Sequence, residues 1–270
     1  MARPVTAMLH RTDSIEPLSS AHAILDLGCG PGTVTQQLLD TPSFAIPASA
    51  RLVAGDLSPG MISVLTAVAT EKAALPISHP VWKTLQSIVL DIQDLSRFPS
   101  ATFSHILAAF IFWFAPDPRG ALREARRVMT RDGVLALTSW HDILWIRELN
   151  AIATQVRPSR PARWFVPEAW ASVEGVRAEL EATGFVDVDI EYVDTAFPVR
   201  DYEDFVRGAV REGSNPPIME AVAGMTADEL DETCTRLVLA LKEKWPALPA
   251  QTRAVAIVAT ARKGGRSCKV

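Results

Sequence analysis

The chain has 270 residues, of which 48% are apolar, so it is long enough to bury a complete hydrophobic core. Its formal net charge of −4 offers no basic surface for nucleic acid. The longest apolar run, residues 106–115, is much shorter than the roughly 20 residues of a membrane-spanning helix. The first residues lack the apolar segment of a signal peptide. We therefore expect a cytoplasmic protein that binds neither nucleic acid nor a membrane.

The number and spacing of the cysteines argue against disulfide bonds and against a thiolate metal site. Cys29, Cys234 and Cys268 are odd in number and form no C-x-x-C pair. Such spacing is typical of a reducing compartment, and it lacks the paired thiolates of a zinc site. We expect no bound metal.

Short apolar strands alternate with amphipathic helices along most of the chain, which is typical of a doubly wound α/β sheet. The predicted strands are residues 22–28, 51–56, 87–95, 103–110, 133–140, 185–193 and 254–262. Residues 194–250 break this alternation and predict a small helical cap inserted between the last two strands. We therefore predict a single domain over residues 1–270, with an N-terminal segment (1–21), a core (22–193), the cap (194–250), and a last strand and tail (251–270).

The first strand runs into a glycine-rich loop in "ILDLGCGPGTVTQQLL", residues 24–39. Gly28, Gly30 and Gly32 let the backbone come close to a ligand, because they have no Cβ. In the dinucleotide-binding fingerprint G-x-G-x-x-G the third glycine comes one residue later. The spacing therefore weakens the case for a bound phosphate and leaves a nicotinamide oxidoreductase as a weak option.

Each of the first three predicted strands contains at least one acidic residue. Asp26 precedes the first glycine, Asp56 ends the second strand, and Asp91 lies in the third. A carboxylate repels a pyrophosphate but attracts an ammonium group, and no Lys or Arg is present in the loop. These carboxylates predict a cationic nucleoside without phosphate, which is a description of S-adenosylmethionine.

With these motifs the chain resembles the class I S-adenosylmethionine-dependent methyltransferases, and in particular the small-molecule branch of the ubiquinone/menaquinone-biosynthesis type. The resemblance rests on "ILDLGCGPGTVTQQLL", "VAGDLSPGMI", "VLDIQDL", "FSHILAAFIFWFAPDPRGALREARRVMTRDGVLAL" and "SVEGVRAELEATGFVDVDIE", in family order and spacing. It implies a Rossmann-like seven-stranded sheet in the order 3-2-1-4-5-7-6, with the last strand antiparallel.

The resemblance also implies a role for each residue along the carboxyl ends of the strands. Asp26 and the backbone of Gly28, Gly30 and Gly32 would hold the methionine part of the cofactor. The ribose and adenine would be held by Asp56, Leu57, Met61, Asp91 and Ile92, and Ala108, after strand four, would offer backbone near the amino acid part. The cofactor would leave as S-adenosylhomocysteine.

The chain departs from the family pattern in two places. Many relatives carry a pair of histidines after strand four, where this chain has Trp113 and Phe114. Only 21 residues precede the first predicted strand, where relatives often have a longer helical segment that covers the cofactor. We therefore expect the cap or a partner subunit to cover the bound cofactor and shield it from water.

His141 is the candidate general base, because an imidazole titrates near neutrality and this residue follows strand five. A plain polar residue at the start of the next helix explains His141 equally well. Aromatic residues after strands four and five predict an apolar wall for the acceptor, and the candidates are Phe110, Trp113, Trp140, Trp145 and Trp164. Phe112 and Phe114 are predicted to pack in the core.

The sequence thus predicts methyl transfer to an oxygen, nitrogen or carbon atom of a small, apolar or aromatic metabolite. By analogy with the family, we expect this reaction to belong to specialised metabolism. The Pro-Pro-aromatic motif of nucleic-acid amino-methyltransferases is absent after strand four of this chain. Ala108 and Ala109 at the same strand end cannot coordinate the Mg²⁺ that a catechol-type methyltransferase needs. The alternative is a protein that binds the cofactor without transferring methyl, as a cyclase-like catalyst or a scaffold. The sequence does not distinguish between a monomer and a homodimer as the oligomeric state.

Overall fold

The computed structural model describes residues 2–213 and 216–264. Its first half contains α1 (Ala2–Ile15), β1 (Ala23–Leu27), α2 (Thr33–Asp40), β2 (Arg51–Asp56), α3 (Pro59–Ala74), β3 (Gln86–Val89), β4 (Phe103–Ala109) and α4 (Pro118–Val128). The second half contains β5 (Met129–Ile143), α5 (Leu144–Val156), α6 (Val173–Ala182), β6 (Val186–Val199), α7 (Tyr202–Val206), α8 (Pro216–Val222), α9 (Ala227–Lys244) and β7 (Ala250–Arg262). The predicted tail falls partly on residues 265–270, outside the described residues.

The strands form one seven-stranded sheet in the order β3-β2-β1-β4-β5-β7-β6, and the last strand is antiparallel. The pairs β1–β2, β1–β4, β2–β3 and β4–β5 are parallel. Every residue of β1 is buried, as expected where helices cover both faces of a parallel sheet. The predicted fold class and strand order are confirmed.

Several strand boundaries differ from the sequence prediction. β3 ends at Val89 and not at residue 95, because the chain turns there and the Asp91 carboxylate accepts the N–H of Gln93 at 2.9 Å. β5, β6 and β7 extend beyond their predicted ends. The long strands carry polar residues beyond their apolar centres, and these positions gave no strand signal.

The N-terminal segment forms a helix, α1, that the sequence analysis did not predict. Val5, Met8 and Leu9 are buried and belong to the core cluster. The chain after the helix is also fixed, since the buried ring of His105 in β4 reaches the carbonyl oxygen of Glu16 at 3.1 Å. This segment is therefore an integral part of the fold.

The chain divides into two compact units. Within the described residues, the larger unit contains 2–140, 168–193 and 256–264, and the smaller unit contains 141–167, 194–213 and 216–255. In the smaller unit, Lys244 of α9 pairs with Glu148 of α5, and Leu237 and Leu241 of α9 are buried. The role of residues 194–250 as a substrate cap stays a prediction. In the described part of the chain, no helix combines the length and apolarity needed to cross a membrane.

Candidate functional site

The loop between β1 and α2 holds its three glycines in left-handed backbone. The φ angles are +70° at Gly28, +52° at Gly30 and +92° at Gly32, a region that other residues rarely adopt. An added Cβ would lie 2.3 Å from Cγ1 of Ile111 at Gly28 and 2.4 Å from Cδ1 of Leu65 at Gly32. At Gly30, no atom of the described residues lies within 4 Å of the added Cβ, apart from the chain neighbours. The loop is packed at both ends and open at Gly30, where a ligand can approach the backbone.

Asp26 lies just before this loop and is fully buried in β1. Its Oδ2 accepts the N–H of Thr35 at 3.1 Å and the hydroxyl of Thr35 at 2.6 Å. Its Oδ1 is buried and has no hydrogen-bond partner among the described residues. Burial raises the pKa of Asp26 to about 7, against the lowering effect of the Thr35 hydrogen bonds, and the charge of Asp56 adds to the rise. A buried carboxylate oxygen without a donor fits a cationic ligand group such as an ammonium.

Asp56, at the end of β2, joins the glycine loop to the start of α3. Its Oδ2 accepts the N–H of Gly30 at 2.8 Å, and its Oδ1 accepts the N–H of Ser58 at 2.9 Å. Each carboxylate oxygen has two lone pairs, so both can accept a further hydrogen bond. The carboxylate is thus held in place beside the open glycine, as recognition of paired hydroxyl groups requires.

The segment after β2 exposes two large apolar side chains. Leu57 is 67% exposed and Met61 is 36% exposed. Ser58, between them, caps α3 by accepting the N–H of Met61 at 3.3 Å, which fixes the first turn of the helix. Exposed apolar groups beside a fixed carboxylate suit a flat base next to a ribose.

The three remaining positions predicted to bind the adenine and the amino acid part differ in accessibility. Asp91 is partly exposed after β3, whereas Ile92 is buried. Ala108 lies inside β4 and not after it, because strand pairing continues through Ala108 with Leu137 and through the next residue. The residue that follows the strand is Phe110.

Phe110 and Trp140 form an aromatic pair at the end of β4. Their rings stack with centroids 4.3 Å apart and planes 13° from parallel. Trp140 is buried, while Phe110 is partly exposed. Phe110 has a φ of +58°, which is unusual for a residue other than glycine, and such backbone is concentrated at functional sites.

The turn after β4 adds a second aromatic pair. Trp113 is buried and stacks on Phe114 with centroids 3.7 Å apart. Phe112 is buried as predicted, but the prediction that Phe114 packs in the core is wrong, because its side chain is 42% exposed. Phe114 covers Trp113 and exposes its own ring, so it is an aromatic surface residue of this turn that the sequence pattern did not predict.

The other three predicted site residues belong to the smaller unit. His141 lies within β5 and not after the strand, and its side chain is partly exposed. Trp145 is buried and makes edge contacts with two phenylalanine rings of the same unit, Phe197 and Phe205. Trp164 is covered by the Arg147 guanidinium, whose Cζ lies 4.6 Å from the ring centroid. Their contact with substrate stays a prediction.

The larger unit therefore places an open glycine, two acidic side chains and exposed apolar groups along the carboxyl ends of β1 and β2. In an open α/β sheet this is the edge where ligands bind. Carboxylates without a neighbouring cation among the described residues, beside an open backbone position and exposed apolar side chains, fit a cationic nucleoside. Among residues 2–213 and 216–264, no group of three or more His, Cys, Asp or Glu side chains is placed to hold a metal ion.

Comparison with known proteins gives matches to methyltransferases. Residues 25–137 match the family model of a methyltransferase domain. The chain is 29% identical over 247 residues to the methyltransferase ucsB of Acremonium sp., covering 92% of this chain and 84% of that protein. It is 25% identical over 180 residues to the acetylaranotin bis-thiomethyltransferase of Aspergillus terreus, covering 63% of this chain and 56% of that protein.

Among solved structures, the YcgJ protein of Bacillus subtilis superposes with a TM-score of 0.57, at 16% identity, over 98% of this chain and all of that one. The strand order, the family match and these similarities support a class I S-adenosylmethionine-dependent methyltransferase. Its cofactor is S-adenosylmethionine. The matches do not favour the alternative of a protein that binds the cofactor without transferring methyl.

Proposed function

We propose that the protein transfers methyl to a small apolar or aromatic metabolite. The observation that carries this proposal is the partly exposed ring of Phe110, stacked on Trp140 directly after β4. The next residue, Ile111, packs on Gly28 of the glycine loop. An aromatic surface thus adjoins the loop proposed to hold the methyl donor, and an apolar acceptor fits such a surface.

The residues of the larger unit fit the parts of the cofactor one by one. Oδ1 of Asp26, which has no hydrogen-bond partner among residues 2–213 and 216–264, would take the ammonium group, and the open backbone at Gly30 would lie against the methionine part. The fixed carboxylate of Asp56 would accept the ribose hydroxyls. Leu57 and Met61 would flank the adenine, with Asp91 and Ile92 at its edge and the Ala108 backbone near the amino acid part.

When bound, the cofactor supplies an electrophilic methyl group. The chain has to hold the acceptor in line with that group and keep water away, and fixed alignment alone supplies a large part of the rate. A base is needed only where the acceptor must lose a proton, and His141 stays the candidate. Unchanged turnover in His141→Ala would remove it from the mechanism.

Two further features of the function rest on the relatives and the sequence. One relative is named as an acetylaranotin bis-thiomethyltransferase, which supports a role in specialised metabolism. Its name also makes sulfur a fourth candidate for the acceptor atom, besides oxygen, nitrogen and carbon. That the protein acts in the cytoplasm stays a prediction from the sequence.

The test combines cofactor titration with a search for the acceptor. We expect calorimetry to show binding of S-adenosylmethionine and S-adenosylhomocysteine, and Asp56→Ala to weaken both. Asp132→Ala, which changes an exposed aspartate of the same unit, is the matched control. Incubation with a pool of aromatic and aliphatic metabolites should then give a product heavier by one methylene in mass spectrometry. Cofactor binding with methylation of polar, aliphatic acceptors alone would contradict the proposal.

A further inference from the structure

The backbone of Phe110 adopts a conformation that its side chain disfavours. Among the described non-glycine residues, positive φ angles occur at Ala45, Ala101, Phe110 and Asp187. For an L-residue this region brings Cβ close to the carbonyl oxygen that follows. Unlike alanine or aspartate, Phe110 also has a large ring to place. Something in the surrounding structure must therefore hold it.

Thr138 supplies that restraint from the neighbouring strand. The N–H of Phe110 is shared between the carbonyl oxygen of Thr138, at 3.2 Å, and the Thr138 hydroxyl, Oγ1, at 3.0 Å. Thr138 is 2% exposed, so water does not compete effectively for this bond. The hydroxyl thus adds a second acceptor for one N–H, beyond the ordinary pairing of β4 with β5.

The same strand also fixes the ring. Residues two apart in a strand project to the same face, so Thr138 and Trp140 share one face of β5. Thr138 holds the backbone of Phe110, and Trp140 stacks against its ring at 4.3 Å. These two contacts together determine both the backbone conformation and the ring orientation of Phe110.

Ile111, the residue after Phe110, connects this restrained backbone to the glycine loop. The side chain of Ile111 occupies the space where a Cβ of Gly28 would lie, with its Cγ1 at 2.3 Å from that position. Turning the backbone at Phe110 would move Ile111 off Gly28. The dipeptide Phe110–Ile111 therefore links the aromatic pair to the loop that holds the cofactor.

We propose that Thr138 is a positioning residue, which aligns the acceptor surface at Phe110 with the glycine loop. This inference rests on the proposed function, since it takes Phe110 as a contact of the acceptor. Small errors in the placement of reacting groups reduce the rate strongly. Loss of the Thr138 hydroxyl therefore reduces kcat much more than it reduces cofactor affinity.

The test compares Thr138→Val, which keeps the shape but loses the hydroxyl, with Thr138→Ser, which keeps the hydroxyl. Thr260→Val is the matched control, because Thr260 is also buried in the sheet and its hydroxyl has no partner among the described residues. We expect Thr138→Val to lower kcat about tenfold or more with the acceptor from the pool assay, and to change the cofactor Kd by less than about threefold. Thr138→Ser should restore kcat, and Thr260→Val should match the wild type.

A second readout does not depend on turnover. Hydrogen exchange of the loop around Gly28 and the turn at Ile111 should be faster in Thr138→Val than in the wild type or Thr260→Val, and a crystal structure should show a changed φ at Phe110. If loop exchange and φ stay at their wild-type values in Thr138→Val, the positioning role is wrong, whether or not an acceptor has been found. If they change while no aromatic acceptor is methylated, the proposed function fails and the acceptor-aligning role fails with it, while the restraint of Phe110 and the glycine loop by Thr138 stands.

Discussion

The carboxyl group of Asp26 is completely buried, and one of its oxygens has no donor within the part of the chain that the structure describes. Burial raises the pKa of Asp26 to about 7, above its value in an unfolded chain. The folded protein without ligand therefore binds this proton more tightly than the unfolded chain does. The associated stability is complete below the unfolded pKa and is lost as the pH rises through about 7.

We therefore predict that the free energy of unfolding of the ligand-free protein decreases between about pH 4 and about pH 7. Asp26→Asn should flatten this dependence, since an amide does not titrate. Urea denaturation at several pH values measures it. Asp132→Asn, at an exposed aspartate, should keep the wild-type slope, and a wild-type slope in Asp26→Asn would show that another group titrates.

Cofactor affinity should depend on pH in the opposite direction. An ammonium group binds the ionised carboxylate, so affinity should increase as the pH rises towards about 7, by up to about tenfold per pH unit. Calorimetry with S-adenosylhomocysteine over this range tests the assignment. Equal pH dependence in the wild type and Asp26→Asn would remove Asp26 from the ammonium site.

The glycines of the loop should respond differently to alanine. A Cβ at Gly30 meets open space, whereas one at Gly32 lies 2.4 Å from Cδ1 of the buried Leu65. We predict that Gly32→Ala destabilises the fold by about 2–4 kcal/mol, and that Gly30→Ala destabilises it by about 1 kcal/mol but weakens cofactor binding at least about tenfold. Thermal unfolding and calorimetry on both variants separate the two effects. The reverse order would contradict the assignment of the open space at Gly30 to the ligand.

At the scale of elements, α1 contributes to stability through its buried face. Leu9 is 0% exposed, and removal of a leucine side chain from a core destabilises a protein by about 2–5 kcal/mol. We predict a loss of this size for Leu9→Ala in urea denaturation. Thr6→Ala, on the exposed side of the same helix, should change stability by less than about 1 kcal/mol. Equal effects would mean that α1 does not pack in solution as described.

The order of the elements could be predicted from the sequence because each strand of the parallel sheet is a compact apolar run. The helix α1 was missed although Val5, Met8, Leu9 and Thr12 follow helical spacing. Strand ends were less predictable, since they depend on pairing with neighbours. For this reason Ala108 and His141 lie inside strands and not after them.

The candidate site was predictable where local chain geometry defines it. Gly28, Gly30 and Gly32 adopt the left-handed backbone that glycine allows, and Asp56 lies at the strand end where the pattern placed it. The positive φ of Phe110 and its bond to Thr138 have no sequence signal. They arise from the pairing of β4 with β5, which brings together residues 28 positions apart.

At the scale of the whole molecule, the predicted cofactor contacts all belong to the larger unit. Binding should therefore slow hydrogen exchange in the loop after β1 and in the turn after β2, while peptides from α5 and α9 exchange at unchanged rates. Exchange measured by mass spectrometry with and without S-adenosylhomocysteine tests this. Asp56→Ala, at the same ligand concentration, should show reduced protection. Strong protection of α9 by the cofactor alone would place contacts in the smaller unit as well.

The two hydrogen bonds accepted by Asp56 have a kinetic consequence. They tie the N–H groups of Gly30 and Ser58 to one carboxylate before any ligand arrives. The binding surface is thus already assembled, and ligand entry requires no slow rearrangement of this part of the chain. Cofactor association followed by stopped flow should accordingly proceed in a single exponential phase, with an observed rate that rises linearly with cofactor concentration.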